Sequence, residues 1–388
     1  MPVDPWPEDQ PRLDIDGLLD DPTTRVVVCC GAGGVGKTTI AAASALRAAE
    51  RGRRVVVLTI DPARRLAQAL GLEELDNVPR TVEGLLPGTT GRLDAMTLDM
   101  KRTFDEVIET HATPQKARQI LENPFYQALS SSFSGTQEYM AMEKLGQLRA
   151  RAEGEPDGWD LIVVDTPPSR SALDFLDAPG RLGAFLDGRF IKVLSAPAKV
   201  GGRAYLRVVS AALGTATSAL SKILGGQMLR DVQTFVAALD TMFGGFRERA
   251  DRTYRLLQEP GTQFLVVAVP EQDALREASY FVDRLALEKM PLAGLVLNRV
   301  HTPRVENLSA DRASAAAEEL QETGEHPLTR QLLQVHADRM HRRERELSVA
   351  GRFTGAHPRV PVVHVPAHPG DVHDLEALRQ IGNELAKG

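Results

Sequence analysis

The stretch from Gly31 to Thr39 constrains this chain of 388 residues more than any other. It fits the pattern G-x-x-x-x-G-K-[ST], follows an apolar run from Val26 to Cys30, and opens an alanine-rich helical segment from Ile40 to Glu50. A strand, a glycine loop and a helix in that order form a cradle for a phosphate chain. Glycine lets backbone N–H groups turn inward, because no Cβ blocks positive φ or the close approach of a ligand. The helix N-terminus adds unpaired donors and a partial positive charge. Gly33, Gly34, Val35, Gly36, Lys37, Thr38 and Thr39 are therefore expected around a nucleoside triphosphate. Lys37 would reach the β- and γ-phosphates, and the Thr38 hydroxyl would ligate Mg²⁺.

Further apolar runs end in polar residues suited to the rim of a parallel sheet, where open α/β folds bind ligands. Arg54 to Ile60 ends in Asp61-Pro62. A carboxylate there can orient an attacking water or act through the Mg²⁺ shell, and its plainer alternative is an N-cap for residues 64–70. Trp159 to Val164 ends in Asp165-Thr166-Pro167-Pro168, four hydrophobics and an acid, which is the Walker-B pattern. Downstream of a phosphate loop that acid belongs near the Mg²⁺, again through water. Gln263 to Val269 and Leu292 to Val300 read as two more buried strands, with Asn298 at the rim of the second. An amide at that place can pair with adenine or simply form a turn. Residues 93–98 and 360–365 complete the strand candidates.

Between Asp61 and the strand at Asp165 lie about 100 residues, against the roughly 30 of a minimal βαβ step. The surplus is helical in pattern over 103–111, 114–121 and 137–149, with Phe104, Val107 and Ile108 on one face. The expected fold is α/β: a P-loop NTPase with a doubly wound, mostly parallel sheet and an inserted helical subdomain from about 100–155 and 170–257. Within it, Gly188 to Arg230 holds seven basic residues and no acid, with apolar residues interleaved. Together with the apolar stripe of 227–243 it reads as a hydrophobic groove for an apolar or acidic protein client, or as a helix–helix core or dimer contact. Residues 1–24 form an extension that Ile15, Leu18 and Leu19 can dock, and 25–388 form the nucleotide-binding domain. Glu306 to His341 is charged and helical in pattern and reads as a solvated face.

Composition narrows the setting. A net charge of −6 argues against a general nucleic-acid binder. Cys29 and Cys30, the two cysteines, sit side by side in the first strand and form neither a disulfide framework nor, alone, a zinc site. No apolar run approaches a membrane span, and the acidic, proline-rich start is unlike a signal peptide, so a cytoplasmic protein is expected.

Gly31 to Thr39, Asp61-Pro62-Ala63, Gly135 to Glu138, Asp165-Thr166, Pro270-Glu271, Asn298 and the 366–376 loop, in that order, resemble the arsenite-pump and tail-anchored-protein-targeting ATPases, the ArsA-type branch of the deviant P-loop proteins. The resemblance implies a dimer closing face to face around ATP and Mg²⁺. It implies that Lys37, Asp61 and Asp165 are catalytic, Asp61 positioning the lytic water. Asn298 would read adenine beside Pro366, Ala367 and His368. The chain departs from the pattern where the family has a lysine after the first glycine, reaching across the dimer to the partner's phosphates. Here that residue is Ala32. The expectation is a heterodimer with a lysine-bearing paralogue, or else a nucleotide-binding regulatory subunit that hydrolyses weakly. The cysteine pair that binds zinc across related dimers is also missing, as are metalloid-binding cysteines, so no zinc is expected. Ser134 stands where the family usually has proline.

Overall fold

A computed structural model describes residues 10–387 apart from 62–64, 125, 128–136, 156, 168–247, 250, 304, 306 and 369. The basic, apolar 188–243 block and the Pro62-Ala63 and Gly135-Thr136 motif residues lie outside the described residues.

The strands are β1 (Val26–Gly31), β2 (Arg54–Thr59), β3 (Arg80–Thr81), β4 (Arg92–Thr97), β5 (Leu161–Asp165), β6 (Thr262–Ala268), β7 (Leu292–Val300) and β8 (Val362–Pro366). They form one sheet in the order β3-β4-β2-β5-β1-β6-β7-β8. Every pairing is parallel except β3 with β4. Every residue of β1 is buried, as expected of a central parallel strand covered on both faces. Connections leave β1 toward β2 on one side, and the chain returns from β5 to β6 on the other. The crevice at that reversal, outside the carboxyl ends of β1, β2 and β5, is where such sheets take ligands.

The helices include α1 (Ile15–Asp20), α2 (Lys37–Glu50), α3 (Arg65–Ala69), α4 (Met100–His111), α5 (Pro114–Leu121), α6 (Gln137–Gly154), α7 (Gln272–Leu287), α8 (Ala310–Thr323), α9 (Pro327–Ala356) and α10 (Leu375–Ala386). Alanine at 41, 42, 43, 45, 48 and 49 lets α2 lie close on the sheet, where it shares a core with Val27, Val55, Val57 and Val163 and with Leu378, Ile381 and Leu385 of α10.

The N-terminal segment is part of this unit. Leu13 donates to Val362 O at 3.1 Å and Val362 donates to Pro11 O at 2.9 Å, which extends the sheet beyond β8 and covers its edge. Ile15 and Leu19 are buried, whereas Leu18 is half-exposed. Arg53 locks the return. Its guanidinium donates to the carbonyls of Leu19, Asp21, Thr24 and Asp160.

The chain divides into two compact units: 1–97, 152–172 and 257–388, carrying the sheet, and 98–151 with 173–256. In the second, α4 is capped by Asp99, which accepts from Arg102 N at 2.9 Å. Within this unit Lys144 pairs with Glu106 at 2.9 Å and Arg249 with Glu143 at 2.9 Å. The Tyr126 hydroxyl donates to Asp105.

The charged segment at 306–341 holds two helices, α8 and the start of α9. Gly324 and His326 both take positive φ, 69° and 49°, and Pro327 opens α9. Proline is favoured at a first helical position and excluded from an interior one. The chain therefore folds back at residues 324–326, and α9 continues to Ala356.

Candidate functional site

Three strand ends build the site. β1 delivers the glycine loop, β2 ends at Thr59 two residues before Asp61, and β5 ends at Asp165. Gly31 has φ 148°, and a Cβ on it would lie 2.1 Å from the backbone oxygen of Val267 in β6. Only glycine lets the chain leave β1 so close to its neighbour. α2 then starts from Gly36 with no side-chain cap and no acid in its first turn. By contrast, α4, α8 and α10 are capped by Asp99, Ser309 and Asp374. The uncapped end presents free N–H donors and the positive end of the helix dipole.

Asp165 is fully buried. The hydroxyls of Thr38 and Thr59 both donate to its Oδ2, at 2.8 and 2.9 Å. Its Oδ1 is buried with no hydrogen-bond partner. Burial pushes its pKa up to about 6, against the opposing pull of the two hydroxyls and of Lys37. Removing a carboxylate from water and leaving one oxygen unpaired costs free energy that a cation would return. A threonine hydroxyl that gives its proton to this carboxylate keeps its lone pairs free, so Thr38 and Asp165 form a donor set suited to Mg²⁺. Magnesium takes one or two protein oxygens and fills its other positions with water and phosphate.

Lys37 is buried, and its Nζ donates to Ala32 O at 2.8 Å across the glycine loop. Desolvation pulls its pKa down, offset by the charges of Asp165 and Asp61. Its charge thus sits at the centre of the loop. Asp61, half-buried, follows β2, and its N–H donates to Thr59 Oγ1 at 3.3 Å. Thr166 ties the strand ends together: its hydroxyl donates to Cys29 O at 2.8 Å. Sequence patterns do not single out Thr59. A hydroxyl ending a strand two places before an acid is its only signal.

Asn298 is buried beside the loop. Its Nδ2 donates to Val35 O at 2.8 Å and its Oδ1 accepts from Arg299 N at 2.9 Å. Both ends of the amide are engaged, one of them in steadying the phosphate loop. Ala367 follows β8 and donates to Val300 O at 2.9 Å, so Pro366 and Ala367 sit at the rim next to the end of β7. His368 lines a cavity there with His301 and α9.

A glycine loop after the central strand, a buried hydroxyl–carboxylate pair and a lysine folded over the loop define a P-loop nucleotide-binding protein. Sequence comparison narrows the class. The family described as anion-transporting ATPase matches residues 24–326, and the chain belongs to that family. Similar proteins include an ATPase GET3 of Kluyveromyces lactis, 28% identical over 45% of this chain and 50% of the relative. An ATPase ASNA1 homolog of Babesia bovis is 26% identical over 76% of this chain and 71% of its own length. A putative arsenical pump-driving ATPase of Halobacterium salinarum is 27% identical over 56% of this chain and 33% of the relative. The first and third matches thus span half and a third of those relatives. Among the described residues no helix is long and apolar enough to cross a membrane.

Proposed function

We propose that this chain is an Mg²⁺-dependent ATPase, a nucleotide-gated dimer acting in the cytoplasm on a protein or hydrophobic client. The observation that carries the reading is the buried Asp165 with one oxygen shared by Thr38 and Thr59 and the other unpaired, beside a loop-bound Lys37. On this reading Lys37 leaves the Ala32 carbonyl for the β- and γ-phosphates, while the open N-terminus of α2 holds the phosphate oxygens. Thr38 would hold Mg²⁺, with Asp165 and Asp61 acting through its water shell; the ion would neutralise charge developing on the phosphates. Asp61 orients the attacking water. Asn298 exchanges Val35 O for the edge of adenine, with Pro366, Ala367 and His368 at the base end.

A metalloid substrate fits poorly. Metalloids are held by accessible thiolates, whereas Cys29 and Cys30 are buried in β1, where burial pushes the Cys30 thiol up to about 12. Residues 188–243 remain the proposed client surface.

Ala32 favours a second element of the reading. A cation at the transferring phosphoryl group is worth on the order of 10³-fold or more in rate, and two copies of this chain place no lysine at position 32. We infer that copies of this chain alone hydrolyse ATP weakly, as a regulatory subunit would, and that a lysine-bearing paralogue completes the active pair. Ala32→Lys tests this without the paralogue. Turnover of the purified chain should rise at least about 10-fold, while Mg·ATP affinity stays within about threefold. A wild-type rate that the added lysine leaves unchanged contradicts the inference.

A further inference from the structure

β2 is aliphatic from Val55 to Leu58 and ends in Thr59, which is 2% exposed. Valine has the same branched shape and suits a doubly covered parallel strand better. Packing therefore does not ask for the hydroxyl. The register sets Thr59 level with Asp165, the last residue of β5. A threonine hydroxyl donates one proton and accepts at two lone pairs. Two oxygens lie within reach of that proton, Asp165 Oδ2 at 2.9 Å and Asp61 O at 3.4 Å. The carboxylate oxygen is the nearer and the more strongly attracting, so it takes the proton. A lone pair of the same hydroxyl accepts from the Asp61 N–H at 3.3 Å. One oxygen atom thus links two acids that follow different strands.

Thr38 donates to the same Asp165 oxygen at 2.8 Å. The two threonines differ in what their lone pairs serve. Those of Thr38 are left for the ion, whereas Thr59 holds the chain. Up to Ile60 the backbone is fixed by the sheet, since Ile60 N donates to Asp165 O at 3.0 Å. At Asp61 the N–H meets a side chain instead. A shift of Asp165 Oδ2 moves the Thr59 oxygen, and with it the amide that carries the Asp61 carboxylate.

We propose that Thr59 is a positioning residue, whose hydroxyl passes the placement of Asp165 on to Asp61 and so sets the carboxylate that orients the attacking water. This role rests on the nucleotide reading above. It adds that the acid on the metal side and the acid on the water side of the site are placed as a unit.

Thr59→Val and Thr59→Ser in the full chain test it. Valine keeps the shape and removes the hydroxyl; serine keeps the hydroxyl and removes a methyl group. Amide hydrogen exchange of nucleotide-free protein, read residue by residue, gives the first answer. In Thr59→Val the Asp61 amide should exchange about 10-fold faster or more, with Ile60 within about threefold of wild type; Thr59→Ser should match wild type at both. Single-turnover hydrolysis, with protein in excess over Mg·ATP, gives the second. Thr59→Val should slow it about 10-fold or more and Thr59→Ser should restore it to within about threefold, while the Kd for Mg·ATP stays within about threefold in both. A purely structural role would lower rate and affinity together and would not be rescued by serine. Four results overturn the role: Asp61 exchange unchanged in Thr59→Val; a valine variant as fast as wild type; serine as slow as valine; or wild type that binds Mg·ATP without hydrolysing it. Each of these leaves nucleotide binding standing. Wild type that binds no Mg·ATP removes the nucleotide reading itself, and this role with it.

Discussion

Two stretches of the same sheet rim are built on opposite plans. At β1, β2 and β5 the polar groups are buried: Asp165 is sealed under two threonines, Lys37 is folded onto its own loop, and α2 begins uncapped. At β7, β8 and α9 the surface is open, with aliphatic side chains and arginines left toward solvent. The first plan stores unfavourable terms, a desolvated carboxylate and bare helix donors, that a small charged ligand can relieve. The second stores exposed apolar area, which a ligand of that size cannot cover but a macromolecular surface can. Folding stability should therefore respond strongly to changes at the first rim and weakly at the second, where association should respond instead.

The largest effect is expected at Gly31. Alanine there meets the β6 backbone at 2.1 Å, so Gly31→Ala should cost about 3 kcal/mol or more. Gly34 lies in the same loop with φ 78°, and a Cβ added to it would meet nothing within 4 Å. Gly34→Ala should therefore cost only about 1 kcal/mol of backbone strain. Denaturant midpoints of the nucleotide-free protein check both. Equal costs would show that the loop is not held against β6.

Asp165 gives the next effect. Its folded pKa of about 6 lies above the unfolded value of 3.8, so folding takes up a proton between those two values. The stability this contributes is complete below pH 3.8 and is lost as pH rises through about 6. The whole effect is at most about 3 kcal/mol. Asp165→Asn removes the titration, so the melting temperature of the variant minus that of wild type should grow between pH 4 and pH 7 in nucleotide-free protein. A difference that stays flat across that range would mean the carboxylate is not buried as described.

Much of this is legible in the sequence, for a physical reason. The phosphate loop, Asp61 and Asp165 are specified by short local patterns, each requiring particular residue types at the end of an apolar strand. The uniformly buried β1 and the mostly parallel sheet follow from the same runs. What escapes depends on contacts distant in sequence. Arg53 looks like a surface arginine until the N-terminal carbonyls gather around it, and Thr59 gains its role only because β2 lies beside β5. The antiparallel pair Arg80–Thr81 is too short and too polar to signal a strand. The segment from 306 to 341 reads as a solvated face because its charges dominate the pattern, and Gly324 and Pro327, where the chain turns, are not singled out. That reading also hides Leu328, Leu332 and Val335, which charge composition alone cannot reveal.

Calorimetric titration of Mg·ATP into wild type and Lys37→Ala tests the central claim, that the buried rim is a nucleotide site. The account predicts saturable binding by wild type, weakened at least about 100-fold when the buried lysine is removed, with the fold retained by circular dichroism. Absence of binding heat for wild type across temperatures, or equal affinity in the two proteins, would contradict it.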